Sequence, residues 1–118
     1  MGTLHYGHAR TPIAIEDRTL AHVKIVMLAK LRRGEGFGFS WVKGLDQGGG
    51  RCTAWMHPSC DLLFEFSGSR HPTINREWLE ALNRSAQTAM GMSLVPEPPH
   101  PFTDAVDPET LQLKEPTF

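Results

Sequence analysis

Apolar residues recur three or four positions apart between Arg18 and Arg33, in a stretch that contains no proline or glycine. This spacing is typical of an α-helix with a buried face. Asp17 is a suitable N-cap for that helix, and Gly34 is a suitable stop after its basic last turn. The sequence therefore predicts a first helix between these two residues.

This helix carries two apolar stripes rather than one. The main stripe, which predicts the face that packs on the core, consists of Leu20, Val23, Met27 and Leu31. The second stripe lies well around the helix and consists of Ala21, Ile25 and Leu28. Either the helix is clamped on both sides within one chain, or the second stripe forms an interface with a second copy or another partner.

Strand signals surround this helix. Two short strands are predicted before it, at residues 3–6 and 12–15, and alternating patterns at 37–42, 51–57 and 62–67 predict an antiparallel meander after it. Asn75 is a suitable N-cap for a second helix, Gly91 fits its end, and residues 92–95 complete the pattern as a last strand. The order ββαβββαβ predicts an α+β fold, a two-layer sandwich with two helices on one face of a mainly antiparallel sheet.

Composition separates a body from a tail. The hydrophobic fraction is 40% and the charged fraction 21%, as in ordinary globular chains. Six of the nine prolines fall at or after Pro96, where extended backbone is favoured. We therefore predict one domain at residues 1–95 and a Pro-rich acidic tail at 96–118. The tail is either a flexible extension or a peptide that docks through Phe102, Leu111 and Phe118.

Charge is distributed unevenly although the net charge is only -1. Residues 1–35 sum to +3 and residues 96–118 sum to -4. Basic side chains that converge on one face bind nucleic-acid backbones or other anions, and the tail would screen such a face. The candidate residues for this role are Arg10, Lys30, Arg32, Arg33, Arg70 and Arg76. The alternative is that these residues form an ordinary solvated surface.

Signals for chemistry are weak. A structural zinc site needs about four converging ligands, and the chain has no Cys-x-x-Cys pair. Its glycine runs do not lead into a helix as phosphate-binding loops do. We therefore expect no metal site, no cofactor and no catalytic residue. Two cysteines without a secretory signal predict free thiols and a cytoplasmic protein, and no apolar run is long enough to span a membrane.

A family resemblance rests on motifs spread over residues 1–98. The chain resembles small single-domain actinobacterial proteins of uncharacterised function, many of which are labelled ATP-dependent DNA ligase. The segments that carry this resemblance are Asp17-Arg18-Thr19-Leu20-Ala21-His22, Lys30-Leu31-Arg32-Arg33, Phe39-Ser40-Trp41, Trp55-Met56-His57-Pro58-Ser59, Phe66-Ser67-Gly68-Ser69-Arg70, Asn75-Arg76-Glu77-Trp78 and Val95-Pro96-Glu97-Pro98.

The ligase label implies a nucleophilic lysine in a Lys-x-Asp-Gly motif. Lys43 is followed by Gly-Leu-Asp, which is the wrong order, and the other lysines are further from the pattern. The hypothesis we favour is a non-catalytic module that binds nucleic acid or a DNA-processing partner. The alternatives are a DNA-joining enzyme, as the label implies, and a structural homodimer built on the second apolar stripe.

Overall fold

A computed structural model describes residues 1–99 of the chain. Five strands and two helices follow one another in the predicted order, and a short 3-10 turn at Leu45–Gln47 joins the third and fourth strands. Their bounds are β1 Gly2–Tyr6, β2 Thr11–Ile15, α1 Asp17–Arg32, β3 Phe37–Val42, β4 Arg51–Met56, β5 Leu62–Glu65 and α2 Arg76–Ala86. The α+β class is confirmed.

The strands form two antiparallel sheets. One sheet has the order β2-β1-β5, and the other pairs β3 with β4. The predicted meander is therefore wrong at its last step, since β5 pairs with β1 in a register that sets His5 opposite Leu63. The Gly7 amide donates to the Asp61 carbonyl at 2.8 Å, which continues this pairing one position beyond Tyr6 and Leu62.

The last predicted strand is reduced to one parallel bridge between Phe39 and Met92. The Met92 amide donates to the Gly38 carbonyl at 2.7 Å, and the Ser40 amide donates to the Met92 carbonyl at 2.8 Å. Gly91 precedes this bridge with a φ of 81°. A Cβ at Gly91 would lie 2.8 Å from the Gly38 backbone, so Gly91 permits this close approach rather than ending α2.

The core lies where α1 packs against α2 and β1. The main stripe of α1 faces the core as predicted, with Leu20, Val23 and Met27 fully enclosed and Leu31 partly buried. Helix α1 packs against α2 and β1, and α2 also packs against β3. Helix α1 is thereby covered on more than one side, which explains why its sequence is apolar in two directions.

Candidate functional site

The first turn of α1 anchors the connection between β5 and α2, residues 66–75. Asp17 accepts hydrogen bonds from the backbone amides of Ser67 and Gly68, each at 3.0 Å to Oδ2. These two hydrogen bonds hold the pKa of Asp17 below its ordinary value, and the bond from Gly68 has the larger effect. The prediction that Asp17 caps α1 is wrong, because Glu16 occupies the N-cap position and Asp17 is committed to this connection.

Arg18 anchors the other end of the same connection. Its Nη1 donates to the Thr73 carbonyl at 2.9 Å. Its Nε and Nη2 donate to the two carboxylate oxygens of Glu97 at 2.8 and 2.7 Å. Two consecutive residues of α1 therefore hold both ends of residues 66–75 against the helix.

A groove of about 210 Å³ opens between α1 and this anchored connection. We call it the cationic groove, and its lining combines an apolar floor with a polar rim. The floor includes Ala21, Ile25, Phe66 and Ile74. The rim carries Lys24, Ser69, Arg70 and His71. Such a lining suits an apolar side chain that is flanked by negative charge.

The three basic side chains of the rim differ in their surroundings. The Lys24 ammonium lies 5.5 Å from the centroid of the Phe66 ring, a cation–π distance that places it over the floor. Arg70 and His71 are exposed. Among residues 1–99, no ion pair or side-chain hydrogen bond engages either Arg70 or His71. Both are therefore available to a negatively charged ligand.

The second apolar stripe is divided between the core and the surface. Ala21 is 8% exposed and Ile25 is 5% exposed, because residues 66–75 cover them. Leu28, one turn further along α1, is 37% exposed. The chain thus buries Ala21 and Ile25 within its own fold. Leu28 is left as the accessible part of the predicted partner interface.

Two of the predicted basic residues are engaged in ion pairs with the same carboxylate. Lys30 is 5% exposed, and its Nζ donates to Glu35 Oε1 at 3.1 Å. Arg33 Nε donates to the other oxygen of Glu35 at 3.1 Å. These two hydrogen bonds lower the pKa of Glu35, and the bond from Lys30 has the larger effect. Lys30 and Arg33 therefore neutralise a carboxylate of the same chain, and their assignment to a ligand stays a prediction.

The remaining members of that set occupy separate places. Arg10 lies in the turn between β1 and β2 with a φ of 56°, and Arg76 begins α2. Arg32 is exposed in the last turn of α1. Of the six candidates, Arg70 is the one that the structure places in the lining of the cationic groove, beside Ala21 and Ile25.

Next to the groove, hydrogen bonds join the chain after Val95 to both helices. We call the group that makes them the latch, and its members are Arg18, His22, Asn75, Trp78 and Glu97. Asn75 Oδ1 accepts from the Glu77 and Trp78 amides and so caps α2, as predicted. Its Nδ2 donates to Glu97 Oε2 at 3.0 Å and to the Pro98 carbonyl at 3.1 Å. The Arg18 hydrogen bonds, assisted by Asn75, lower the pKa of Glu97 to about 2.

His22 completes the latch from inside the core. Its Nδ1 donates to the Arg18 carbonyl at 2.8 Å, and its Nε2 accepts from the Asn75 amide at 2.9 Å. This pattern requires the neutral ring, and burial lowers the pKa of His22. The ring also lies 4.4 Å, centroid to centroid, from Trp78, whose Nε1 donates to the Val95 carbonyl.

The latch also lines a larger cleft of about 440 Å³, whose lining includes Thr19, Trp78, Leu94 and Glu97. Two of its polar groups are already committed, since Glu97 is paired with Arg18 and the Trp78 indole with the Val95 carbonyl. The remaining charged residue of its lining, Glu16, is acidic. The cationic groove has two basic side chains that no described residue pairs with, and it is therefore the better candidate for ligand binding.

Three further features concern metal ligands, membrane spans and thiols within residues 1–99. No group of three or more His, Cys, Asp or Glu side chains is close enough together to hold a metal ion. Neither α1 nor α2 is long and apolar enough to cross a bilayer. Cys52 and Cys60 are half-buried and unpaired with each other.

The family comparison matches most of the chain. Residues 1–97 match the family described as a domain of unknown function, DUF7882, and the chain belongs to that family. The match ends at Glu97, the residue that closes the latch on Arg18. Neither the curated proteins nor the solved structures contain a significant match to this chain.

Proposed function

We propose that this chain is a non-catalytic binding module that accepts an acidic protein segment bearing apolar side chains in the cationic groove. The observation that carries the proposal is the pair of basic side chains, Arg70 and His71, which have no partner among residues 1–99 and lie above a floor that contains Ile25 and Phe66. Charge around the groove would steer an acidic partner, and burial of one apolar side chain would hold it.

Two observations favour a protein segment over nucleic acid as the ligand. The groove of about 210 Å³ accommodates an apolar side chain, whereas a base that stacked on Phe66 would compete with the Lys24 ammonium, which lies 5.5 Å from the centroid of that ring. Lys30 and Arg33 are also paired with Glu35, which withdraws two of the six basic candidates from a phosphate backbone. Because a nucleic-acid backbone gains affinity from several free cations along one face, the loss of these two favours the peptide.

Fluorescence anisotropy of the full chain with a fluorescein-labelled peptide of alternating glutamate and leucine tests the proposal. Binding is expected, and a glutamine–leucine peptide should bind more weakly. Lys24→Gln combined with Arg70→Gln should weaken binding about five- to tenfold, the size of one or two lost charge pairs. Arg84→Gln, an exposed change on α2, serves as the control.

A labelled single strand and a nicked duplex are measured in the same series. Tight, salt-sensitive binding of either nucleic acid, with none of the acidic peptide, would replace our proposal with the nucleic-acid module. Equal binding of the acidic peptide by the double variant and the wild type would place the ligand elsewhere on the protein.

The other two functions have separate tests. A DNA-joining enzyme would form a covalent adenylate with ATP, and we expect none because no lysine lies in a Lys-x-Asp-Gly motif. A structural homodimer built on Leu28 would dissociate on Leu28→Asp, which light scattering detects. Leu28 is the better position for this test than the buried Ile25, where a charge would disturb the fold itself.

A further inference from the structure

We propose that the groove has an occupant within the same chain, the C-terminal segment at residues 100–118, which competes with the external ligand. This inference rests on the proposed function and names a partner for the same site. In this arrangement the module is autoinhibited, and an external acidic segment must displace the chain's own.

The latch holds the last described residues beside the connection that forms the groove wall. Pro98 accepts a hydrogen bond from Asn75, the residue that follows the groove-lining Ile74. Glu97 is held by Arg18, whose Nη1 also binds the Thr73 carbonyl in the connection that forms the groove wall. The described chain therefore ends at Pro99, next to the same connection that carries Arg70 and His71.

The segment has the chemistry that the groove accepts. Residues 100–118 contain four carboxylates against one lysine, which complements the basic rim. Apolar side chains alternate with these carboxylates, so that Phe102 precedes Asp104, and Val106 precedes Asp107. In this pattern an apolar side chain can occupy the floor, and a carboxylate one or two residues away can pair with Arg70. We infer the same pattern for an external ligand.

Tethering makes even a weak contact effective. The 19 residues from 100 to 118 span up to about 63 Å when extended, more than the longest dimension of 38 Å, so that reach is not limiting. A segment joined by a short linker experiences an effective concentration in the millimolar range. Docking with an intrinsic Kd of several hundred micromolar would therefore occupy most of the grooves.

The test uses the full chain and neutralises the segment without removing it. One variant combines Asp104→Asn, Asp107→Asn and Glu109→Gln. The matched control changes the same number of acidic residues on the folded body, with Asp46→Asn, Glu77→Gln and Glu80→Gln. Two quantities are compared with the wild type. They are the amide chemical shifts of Lys24, Ile25, Arg70 and His71, and the affinity for the glutamate–leucine peptide.

The segment variant should move the amide signals of the groove and bind the peptide at least about threefold more tightly, since competition in cis is relieved. The control variant should change neither quantity. Groove signals that stay at their wild-type positions in the segment variant would overturn the inference, whatever the peptide does. If those signals move but the peptide binds no form of the protein, cis docking stands and the proposed external ligand fails.

Discussion

Glu97 is the residue whose carboxylate joins the end of the matched family region to α1 and α2. It receives two hydrogen bonds from Arg18 and one from Asn75. Glu97→Gln removes the charge and one acceptor oxygen, and its side chain is 32% exposed, so that solvent moderates the loss. We expect the free energy of unfolding to fall by roughly 1–2 kcal/mol, as measured by chemical denaturation.

The same residue sets an acid dependence. The pKa of Glu97 is about 2 in the folded chain, below its ordinary value of 4.5. The stabilisation is therefore complete above pH 4.5 and is lost as pH falls toward 2. Glu97→Gln should flatten the stability profile in that window, whereas Glu80→Gln should leave it unchanged. Equal profiles for Glu97→Gln and the wild type would contradict the latch.

His22 gives a second pH dependence of known sign. Burial lowers its pKa from the ordinary 6.5, so the unfolded chain binds a proton at pH values where the folded chain does not. Stability should therefore decrease as pH falls below about 6.5. Denaturation at pH 7.5, 6.5 and 5.5 measures this slope. His22→Gln should lower stability at pH 7.5 and reduce the slope, and His8→Gln, at an exposed site, should retain it.

At the level of elements, Asn75 couples the start of α2 to the latch. Its Oδ1 accepts from the first amides of α2, and its Nδ2 donates to Glu97. Asn75→Asp keeps an oxygen acceptor for the α2 amides but places a second carboxylate against Glu97 Oε2. We expect Asn75→Asp to lose about 1–3 kcal/mol of stability. Addition of Glu97→Gln should recover part of this loss, and no recovery in the double variant would show that the two side chains do not interact.

Helix α1 contributes differently along its second stripe. Ile25 is 5% exposed, and truncation of a buried isoleucine leaves a cavity under residues 66–75. Ile25→Ala should therefore cost about 2–4 kcal/mol, whereas Leu28→Ala, at a 37% exposed position, should cost below about 1 kcal/mol. Thermal or chemical unfolding distinguishes the two variants. Equal losses would mean that a partner copy buries Leu28 in solution.

For the whole molecule, local patterns in the sequence predicted the elements, and long-range pairing determined how they meet. Helical spacing located α1, and strand alternation located β3 to β5. The pairing of β1 with β5 joins segments about 60 residues apart, and a single sequence carries no local signal for such a partner. The predicted meander failed for this reason.

The candidate site was partly predictable for the same physical reason. Ala21, Ile25 and Arg70 were singled out from stripe spacing and charge, but not their convergence. The anchors Asp17 and Arg18 were missed because their partners lie about 50 residues further along the chain. The local signal for the latch was Glu97 between Pro96 and Pro98, a restricted backbone that presents one carboxylate.

The central claim is that the cationic groove is the binding site of an acidic, apolar segment. Titration of the full chain with the glutamate–leucine peptide, followed by amide chemical shifts, tests this claim most directly. The account predicts progressive shifts at Lys24, Ile25, Arg70 and His71, which Lys24→Gln with Arg70→Gln suppresses. Shifts centred instead on the exposed Trp55 of β4, with those four amides unmoved, would contradict it.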